Sequence, residues 1–409
     1  MSPRLSSEGN MASFKEGTKK FSKGLALLAV TASLMLSSCT IGETDTSAAA
    51  EASLKAAAAA EALAPAASVG NGDEAVNPTI PILVRSLGSG LQQVSMTNEA
   101  GYEVKAELSA DKMRWTTSEV LGYGRTYTLN AVDNNGANLK LSFRTVAPDS
   151  QLSVALSPLP DSTVGIAQTI GFRFSKAVPD RKAAEARLKI TTEPPVAGAF
   201  YWINPQEVRW RPAEFWAPGT KVDVQANIYG YSLGDSAYGS SDNATNFTIG
   251  DEVRTIVDDA TKQMTVYRNG ELLRSIPVSL GRNDPKWATP NGTYIVGDRY
   301  DKITMDSSTF GLAVDDGGYR TKVDWATQLS YSGIFVHSAP WSLAQQGNSN
   351  ASHGCVNVSP EAAQWFFNTV KRGDPVEIRN TVGGVLAGSD GLGDWNIPWE
   401  TWSAGNSQQ

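Results

Sequence analysis

The sequence predicts a mainly β protein, with two β-sandwich units followed by a third β-rich unit carrying a few short helices. Three observations carry that prediction. The 409 residues include 37 glycines, 20 prolines and 11 tryptophans, with few long helical periods, which favours short strands and many turns. Alternating apolar and polar runs recur from Thr79 onward. One set of landmarks also appears twice at a constant offset, as a duplicated unit would give. The length suits two or three domains, and an apolar fraction of 41% excludes wholesale disorder. A net charge of −7 without basic stripes argues against a nucleic-acid partner.

The N-terminus reads as an address. Lys15, Lys19, Lys20 and Lys23 precede an apolar run from Gly24 to Leu36, too short to span a bilayer comfortably. It ends in Leu36-Ser37-Ser38-Cys39, which resembles the bacterial lipobox. That resemblance implies a signal peptide over 1–38 and an acylated Cys39, anchoring an exported chain to the outer face of the cytoplasmic membrane. Two or more acyl chains hold where one is marginal. An ordinary secretory signal with a chance cysteine is the alternative, and it too exports the protein. Residues 39–78 follow as an Ala-rich linker without a burial stripe, able to reach on the order of 120 Å when extended.

In 79–147, Gln92–Met96, Tyr102–Leu108, Arg125–Val132 and Leu139–Val146 read as strands, separated by clusters such as Asp133-Asn134-Asn135-Gly136. In 148–250, Arg209-Trp210 repeats Arg114-Trp115, and Gly219 repeats Gly124. Thr126-Tyr127-Thr128-Leu129 likewise parallels Lys221-Val222-Asp223-Val224. Both units read as immunoglobulin-like domains whose tryptophans anchor cores. The loop Ser232–Asn243, with Asp235 and Asp242, lacks the spacing of a hard-cation site.

The third unit, 251–380, opens with strands over Val253–Asp258, Gln263–Arg268, Glu271–Leu280 and Thr293–Gly297, the turn Arg268-Asn269-Gly270-Glu271 making a hairpin. Gly333-Ile334-Phe335-Val336-His337-Ser338 is a further strand, and Ser352-His353-Gly354-Cys355-Val356-Asn357 follows. Both histidines of the chain and its only cysteine outside the lipobox thus share one window. Three readings compete there. Cys355 is a buried apolar residue among core histidines, or His337, His353 and Cys355 ligate zinc, or Cys355 is a nucleophile activated by a histidine.

The string Ser-His-Gly-Cys-x-Asn after a strand-end histidine resembles the signature of the L,D-transpeptidase (YkuD-type) catalytic domain. Met305-Asp306-Ser307-Ser308-Thr309, Gly318-Tyr319-Arg320, Val323-Asp324-Trp325-Ala326-Thr327 and His337-Ser338-Ala339-Pro340-Trp341 extend the likeness to actinobacterial members with immunoglobulin-like domains. The resemblance implies Cys355 as nucleophile and His337 as base, its ring held by the Ser338 carbonyl. It implies attack on a peptidoglycan tetrapeptide stem, loss of D-alanine, and a thioester that the amine of a second stem resolves into a 3→3 cross-link. It implies no metal or organic cofactor, and acylation by carbapenem-type β-lactams. Water as acceptor would make the same chemistry an L,D-carboxypeptidase. A lipid-anchored wall-binding protein is the reading from another class.

Supporting residues follow. The amides around Gly354 and Cys355, aided by the Tyr319 hydroxyl, are expected oxyanion donors. His353 is expected to hydrogen-bond structurally and Asn357 to position substrate or its own loop. Trp341 and Met305 are expected to line the donor pocket or a lid across Ala339–Asn350, and Ser332 and Gly333 to pair with an extended stem. A helix is expected from Ser359-Pro360 to about Lys371, with Ser359 as N-cap and Gly373 beyond its end. Its buried stripe is Ala362, Trp365, Phe366 and Val370, and its positive end is expected to favour the Cys355 thiolate. Trp395, Trp399 and Trp402 in the 381–409 tail are expected to dock it onto neighbouring domains.

Overall fold

The computed structural model describes residues 50–55, 64–310, 313, 315 and 318–408, so the signal-like run, Cys39 and residues 39–49 and 56–63 of the Ala-rich stretch lie outside the described residues. No helix among the described residues is long and apolar enough to cross a membrane. The architecture is mainly β, as composition and alternation predict.

In the first sandwich, Ala66–Ala67, Leu83–Arg85, Arg114–Thr117 and Ala106–Leu108 form one sheet, and Leu91–Asn98, Thr126–Asp133 and Asn138–Arg144 the other. Between them lie Val84, Met96, Trp115, Leu129 and Phe143. Pairing begins at Ala66, opposite Arg85, inside the stretch whose composition reads as linker. Ladder bonds use backbone groups, which composition does not reveal. The expected strand Tyr102–Leu108 contracts to Ala106–Leu108. The Asn98 side chain accepts from the Ala100 and Tyr102 amides, and that turn consumes the first residues.

The second sandwich stacks Ser162–Val164, Asn243–Ile249, Lys221–Ala226 and Leu188–Glu193 against Gly198–Asn204, Glu207–Pro212, Ile170–Phe174 and Val154–Ser157. The repeated landmarks occupy matching places. Trp115 and Trp210 are both buried on paired strands. Gly124 and Gly219 both turn with positive φ, 63° and 82°, and each donates its amide to a carbonyl closing its unit, Val146 or Ile249, at 2.8 Å. In the Ser232–Asn243 loop the Asp242 carboxylate accepts from the Tyr229 amide.

In the third unit the strands are β1 (Val253–Asp258), β2 (Gln263–Arg268), β3 (Glu271–Pro277), β4 (Gly292–Ile295), β5 (Arg299–Asp306), β6 (Arg320–Gln328), β7 (Phe335–Ser338), β8 (Val356–Val358) and β9 (Pro375–Arg379). One sheet runs β3-β2-β1-β9-β4 and the other β5-β6-β7-β8, with β7 and β8 parallel. Asn269 and Gly270 both take positive φ, 50° and 83°, as the Asn-Gly hairpin turn requires. β3 stops three residues before the expected Leu280. Past Pro277 the chain leaves β2 to pair Ser279 with Asn357 instead.

Helix α1 (Pro360–Thr369) has Ser359 as its N-cap, accepting from the Ala362 amide, and Pro360 in its first turn. It ends two residues short of Lys371. Its Ala362, Ala363 and Phe366 enter a core shared with Val257, Val336, Val356 and Val376 of both sheets, while Trp365 packs on the rim. The tail docks on the second sandwich, as expected. Trp402 in helix α2 (Trp399–Ala404) is fully buried, stacks on Tyr201 and donates to Ala199 O at 2.8 Å. Trp395 donates to Ala167 O at 2.8 Å, and the Arg211 guanidinium lies over the rings of Trp395, Trp399 and Trp402.

Candidate active site

The parallel pair β7–β8 builds the site. Successive side chains of a strand point to opposite faces, and the register sets Val336 beside Val356 and His337 beside Asn357. Val336, Val356 and Val358 take the core face. Phe335 and His337 therefore share the other face with Cys355 and Asn357. There Cys355 packs with Phe335, Val323, Ala326 and Met305, with Tyr319 against the cluster. Sequence separation hides this, because His337 and Cys355 reach one cavity only through strand pairing.

A cavity of about 290 Å³ opens over that face. Seven expected residues line it: Met305, Tyr319, His337, Trp341, His353, Cys355 and Asn357. The His337 ring shares its Nδ1 with Ser338 O at 2.9 Å. A carbonyl only accepts, so Nδ1 carries the hydrogen and Nε2 keeps a free lone pair. Burial pulls His337 down to about 4, partly offset by the Ser338 carbonyl. Burial also pushes the Cys355 thiol up to about 11, partly offset by the Phe335 amide. The thiol donates to Gly333 O at 3.5 Å. Burial thus favours the neutral form of both groups at rest, because neither has a counter-charge in its buried surroundings.

Two expectations are corrected. The positive end of α1 lies beyond β8, separated from Cys355 by about 13 Å of extended chain, whereas a helix dipole acts over its first turn. The Gly354 amide donates to the Ser352 hydroxyl at 3.1 Å, so it is already committed. The Cys355 amide and the Tyr319 hydroxyl remain as expected oxyanion donors. Burial, and next the nearby Cys355, hold Tyr319 protonated well above its ordinary range.

Gly354 adopts φ +127°, which lets the chain turn just before the nucleophile. Ser352 braces that turn from inside, its hydroxyl donating to Cys355 O at 2.6 Å. Thr289 braces it from outside, donating to Gly354 O at 2.8 Å while accepting from the Gly281 amide at 2.9 Å. Gly281 permits that approach, since a Cβ there would lie 1.9 Å from Trp287 O. Ser352 belongs to the motif string and was legible as a candidate. Thr289 carries no local signal.

Ser332 and Gly333 are not brought to the cavity as free edge amides. The Ser332 amide donates to Asp390 at 2.9 Å, and the Gly333 amide to Ser330 O. Gly333 instead holds the thiol through its carbonyl. His353 stands between Trp287, edge-on at 4.5 Å, and Tyr319 at 4.9 Å. Burial and the Arg282 cation hold it below its ordinary range. Asn357 donates to the Ser342 hydroxyl at 3.1 Å, tying the Pro340–Ser342 turn of the expected lid to the motif strand. Its buried Oδ1 has no protein partner. Trp341 is 58% exposed at the cavity mouth, 6.1 Å from the His337 ring. Among the described residues no three His, Cys, Asp or Glu side chains converge as metal ligands would.

A neutral base, a buried thiol and nearby donors can carry nucleophilic acyl transfer. Comparison with known proteins shows the family of the chain. A family profile for the L,D-transpeptidase catalytic domain (YkuD) matches residues 252–378, and one for a bacterial Ig domain matches 73–232. The chain is 52% identical to L,D-transpeptidase 2 of Mycobacterium tuberculosis over 346 residues, 84% of each chain. It is 33% identical to L,D-transpeptidase 5 of the same species over 336 residues, 80% of this chain and 73% of that one. A solved L,D-transpeptidase in complex with imipenem is 35% identical and covers 56% of this chain and 99% of its own, with a TM-score of 0.48.

Proposed function

The chain belongs to the L,D-transpeptidase family, and from that premise we propose that it forms 3→3 cross-links between peptidoglycan stem peptides through a Cys355 thioester. The observation that carries this reading is the placement of Cys355 and His337 on one sheet face over one cavity, with the His337 Nε2 lone pair left open by the Ser338 bond.

The first step is attack by the Cys355 sulfur on the amide between the third-position diamino acid of a tetrapeptide stem and its terminal D-alanine. The thiol hydrogen passes from its Gly333 contact to His337 Nε2 as the S–C bond forms, so charge separates only during the step. The Tyr319 hydroxyl and the Cys355 amide are the donors assigned to the developing oxyanion. The protonated His337 then gives its proton to the departing amine, and D-alanine leaves. In the second step the side-chain amine of another stem attacks the thioester. His337 takes the proton from that amine, the new amide forms, and the thiol is restored. The chemistry assigned here uses protein groups throughout.

Ser338 is assigned to fix the His337 tautomer, Asn357 to hold the lid turn, and Met305 and Trp341 to flank the donor stem. Carbapenem-type β-lactams are expected to acylate Cys355 by the same attack, ring opening replacing loss of D-alanine. The lipobox-like Leu36-Ser37-Ser38-Cys39 supports export and a lipid anchor on the outer face of the membrane, with the Ala-rich stretch as tether to the wall.

The test is mass spectrometry of the products formed from a disaccharide-tetrapeptide with a second stem present. A cross-linked dimer and one released D-alanine per bond are expected. Tripeptide without dimer would replace the transpeptidase with a carboxypeptidase.

A further inference from the structure

Beside the cavity, the loop between β3 and β4 carries Arg282, a cation with no carboxylate partner among the described residues. The Arg282 backbone is pinned to the motif: its amide donates to Ser352 O at 3.1 Å, and the preceding Gly281 bridges to Ser352. Its guanidinium lies over the Trp287 ring, 5.0 Å from the centroid. Trp287 meets His353 edge-on, and His353 faces Tyr319 in the cavity wall. These four side chains form a ladder from the loop to the neighbourhood of Cys355.

Among the described residues no carboxylate pairs with the Arg282 guanidinium, and its buried Nε has no hydrogen-bond partner. Asp284, the acid in the same loop, turns Oδ1 to the Lys286 and Trp287 amides instead. The Lys286 ammonium lies 4.8 Å from the Trp287 centroid, adding positive charge to the same approach. A guanidinium over an aromatic ring carries a planar fork of N–H groups, and that fork matches a carboxylate through two parallel bonds.

We propose that Arg282 is a specificity-determining residue of this active site, receiving a free carboxylate of the stem peptide and seating the chain along Trp287 and His353. This rests on the stem-peptide reading above. A substrate whose scissile amide reaches Cys355 brings a carboxylate one residue away, on the terminal D-alanine. The acceptor stem brings its own. Both present the same chemistry to a guanidinium.

The experiment is calorimetric titration of the full chain carrying Cys355→Ala, so that no turnover intervenes. The probes are a disaccharide-tetrapeptide with a free D-alanine carboxylate, the same peptide as its carboxamide, and an acceptor stem in free and amidated forms. Amidation of one of the two is expected to weaken binding about tenfold, as loss of a charge-assisted bond gives, and whichever peptide responds is the source. Adding Arg282→Gln is expected to remove that discrimination, and Arg282→Lys to retain part of it. If Arg282→Gln weakens the free and amidated peptides equally, Arg282 merely braces Trp287 and the proposal falls. It falls also if the chain with Arg282 intact binds free and amidated peptides alike. Release of D-alanine is followed in parallel with the chain carrying Cys355: its absence removes the transpeptidase reading, whereas the titrations still decide Arg282.

Discussion

Two clusters in this molecule bury titratable side chains almost completely, and they do so in opposite ways. Where the tail meets the second sandwich, Arg209 and Asp394 pair at 2.9 Å; Glu207 takes the other side of the guanidinium and Thr169 donates to Asp394. Burial opposes the Arg209 charge, yet its two carboxylates hold the cation firmly. At the β7–β8 face, His337 and Cys355 are as deeply buried, but their partners are the carbonyls of Ser338 and Gly333. Without a counter-charge both give up ionisation. A buried charge with its partner fastens the tail to the sandwich, whereas burial without a partner holds an acid and a base in their neutral forms.

The largest expected break in this comparison is Cys355→Ala, which should lower D-alanine release at least about a thousandfold. The melting temperature should stay within a few degrees, because an apolar face loses only a small group. Turnover that survives this change would sink the nucleophile assignment. His337→Gln should lower the acylation rate by about a hundred- to ten-thousandfold, read as the rate at which a carbapenem adds its mass to the chain. An unchanged rate would move the base elsewhere.

At the other cluster, Asp394→Ala leaves Arg209 buried and unpaired, and should cost about 3–5 kcal/mol in denaturant unfolding. The folded fraction should keep its acylation rate within about threefold. Replacing both partners with apolar residues should cost less than either single change. If the single and double variants are equally destabilised, the pair is not what holds the tail.

The pH dependence sharpens the contrast further. With His337 at about 4 and Cys355 at about 11, acylation should be flat from about pH 5 to 10. It should fall about tenfold per unit as the base protonates below pH 4. An unfolded histidine takes up its proton at 6.5, so the stability contributed by His337 is complete above 6.5. It is lost as pH falls towards 4. A rate limb near 6.5 would mean that the imidazole is solvated after all. The smallest effect is expected from Ser359→Ala, about 1 kcal/mol of stability for a lost N-cap. Acylation should not change, since α1 begins too far from the thiol to act on it.

Legibility in the sequence divided along physical lines. The strands β1 and β2, the Asn269-Gly270 turn and the Ser359-Pro360 helix start were readable because each follows from local alternation, turn chemistry or capping. β5 and β6 were quoted only as motif flanks. Their sheet, with Val323 and Ala326 on one side of it, is defined by pairing across long separations. Ser332 and Gly333 were expected as free edges, but Asp390, far along the chain, had already taken the Ser332 amide. Thr289 and Arg282 lie in a loop without motif character. Their importance comes from the Gly281–Ser352 contact, which joins that loop to the signature string.

By itself, the sequence determined the β architecture, the duplicated sandwich landmarks and the concentration of His337, His353 and Cys355 in one window. These are written in residue type and spacing, which act locally or through period. Only the tertiary structure decided which histidine shares a face with the thiol and that Gly354 spends its amide on Ser352. It also decided that α1 stands off from Cys355 and that burial leaves acid and base neutral. The physical reason is desolvation: a group's charge state depends on everything packed around it, and that packing is assembled from residues far apart in the chain.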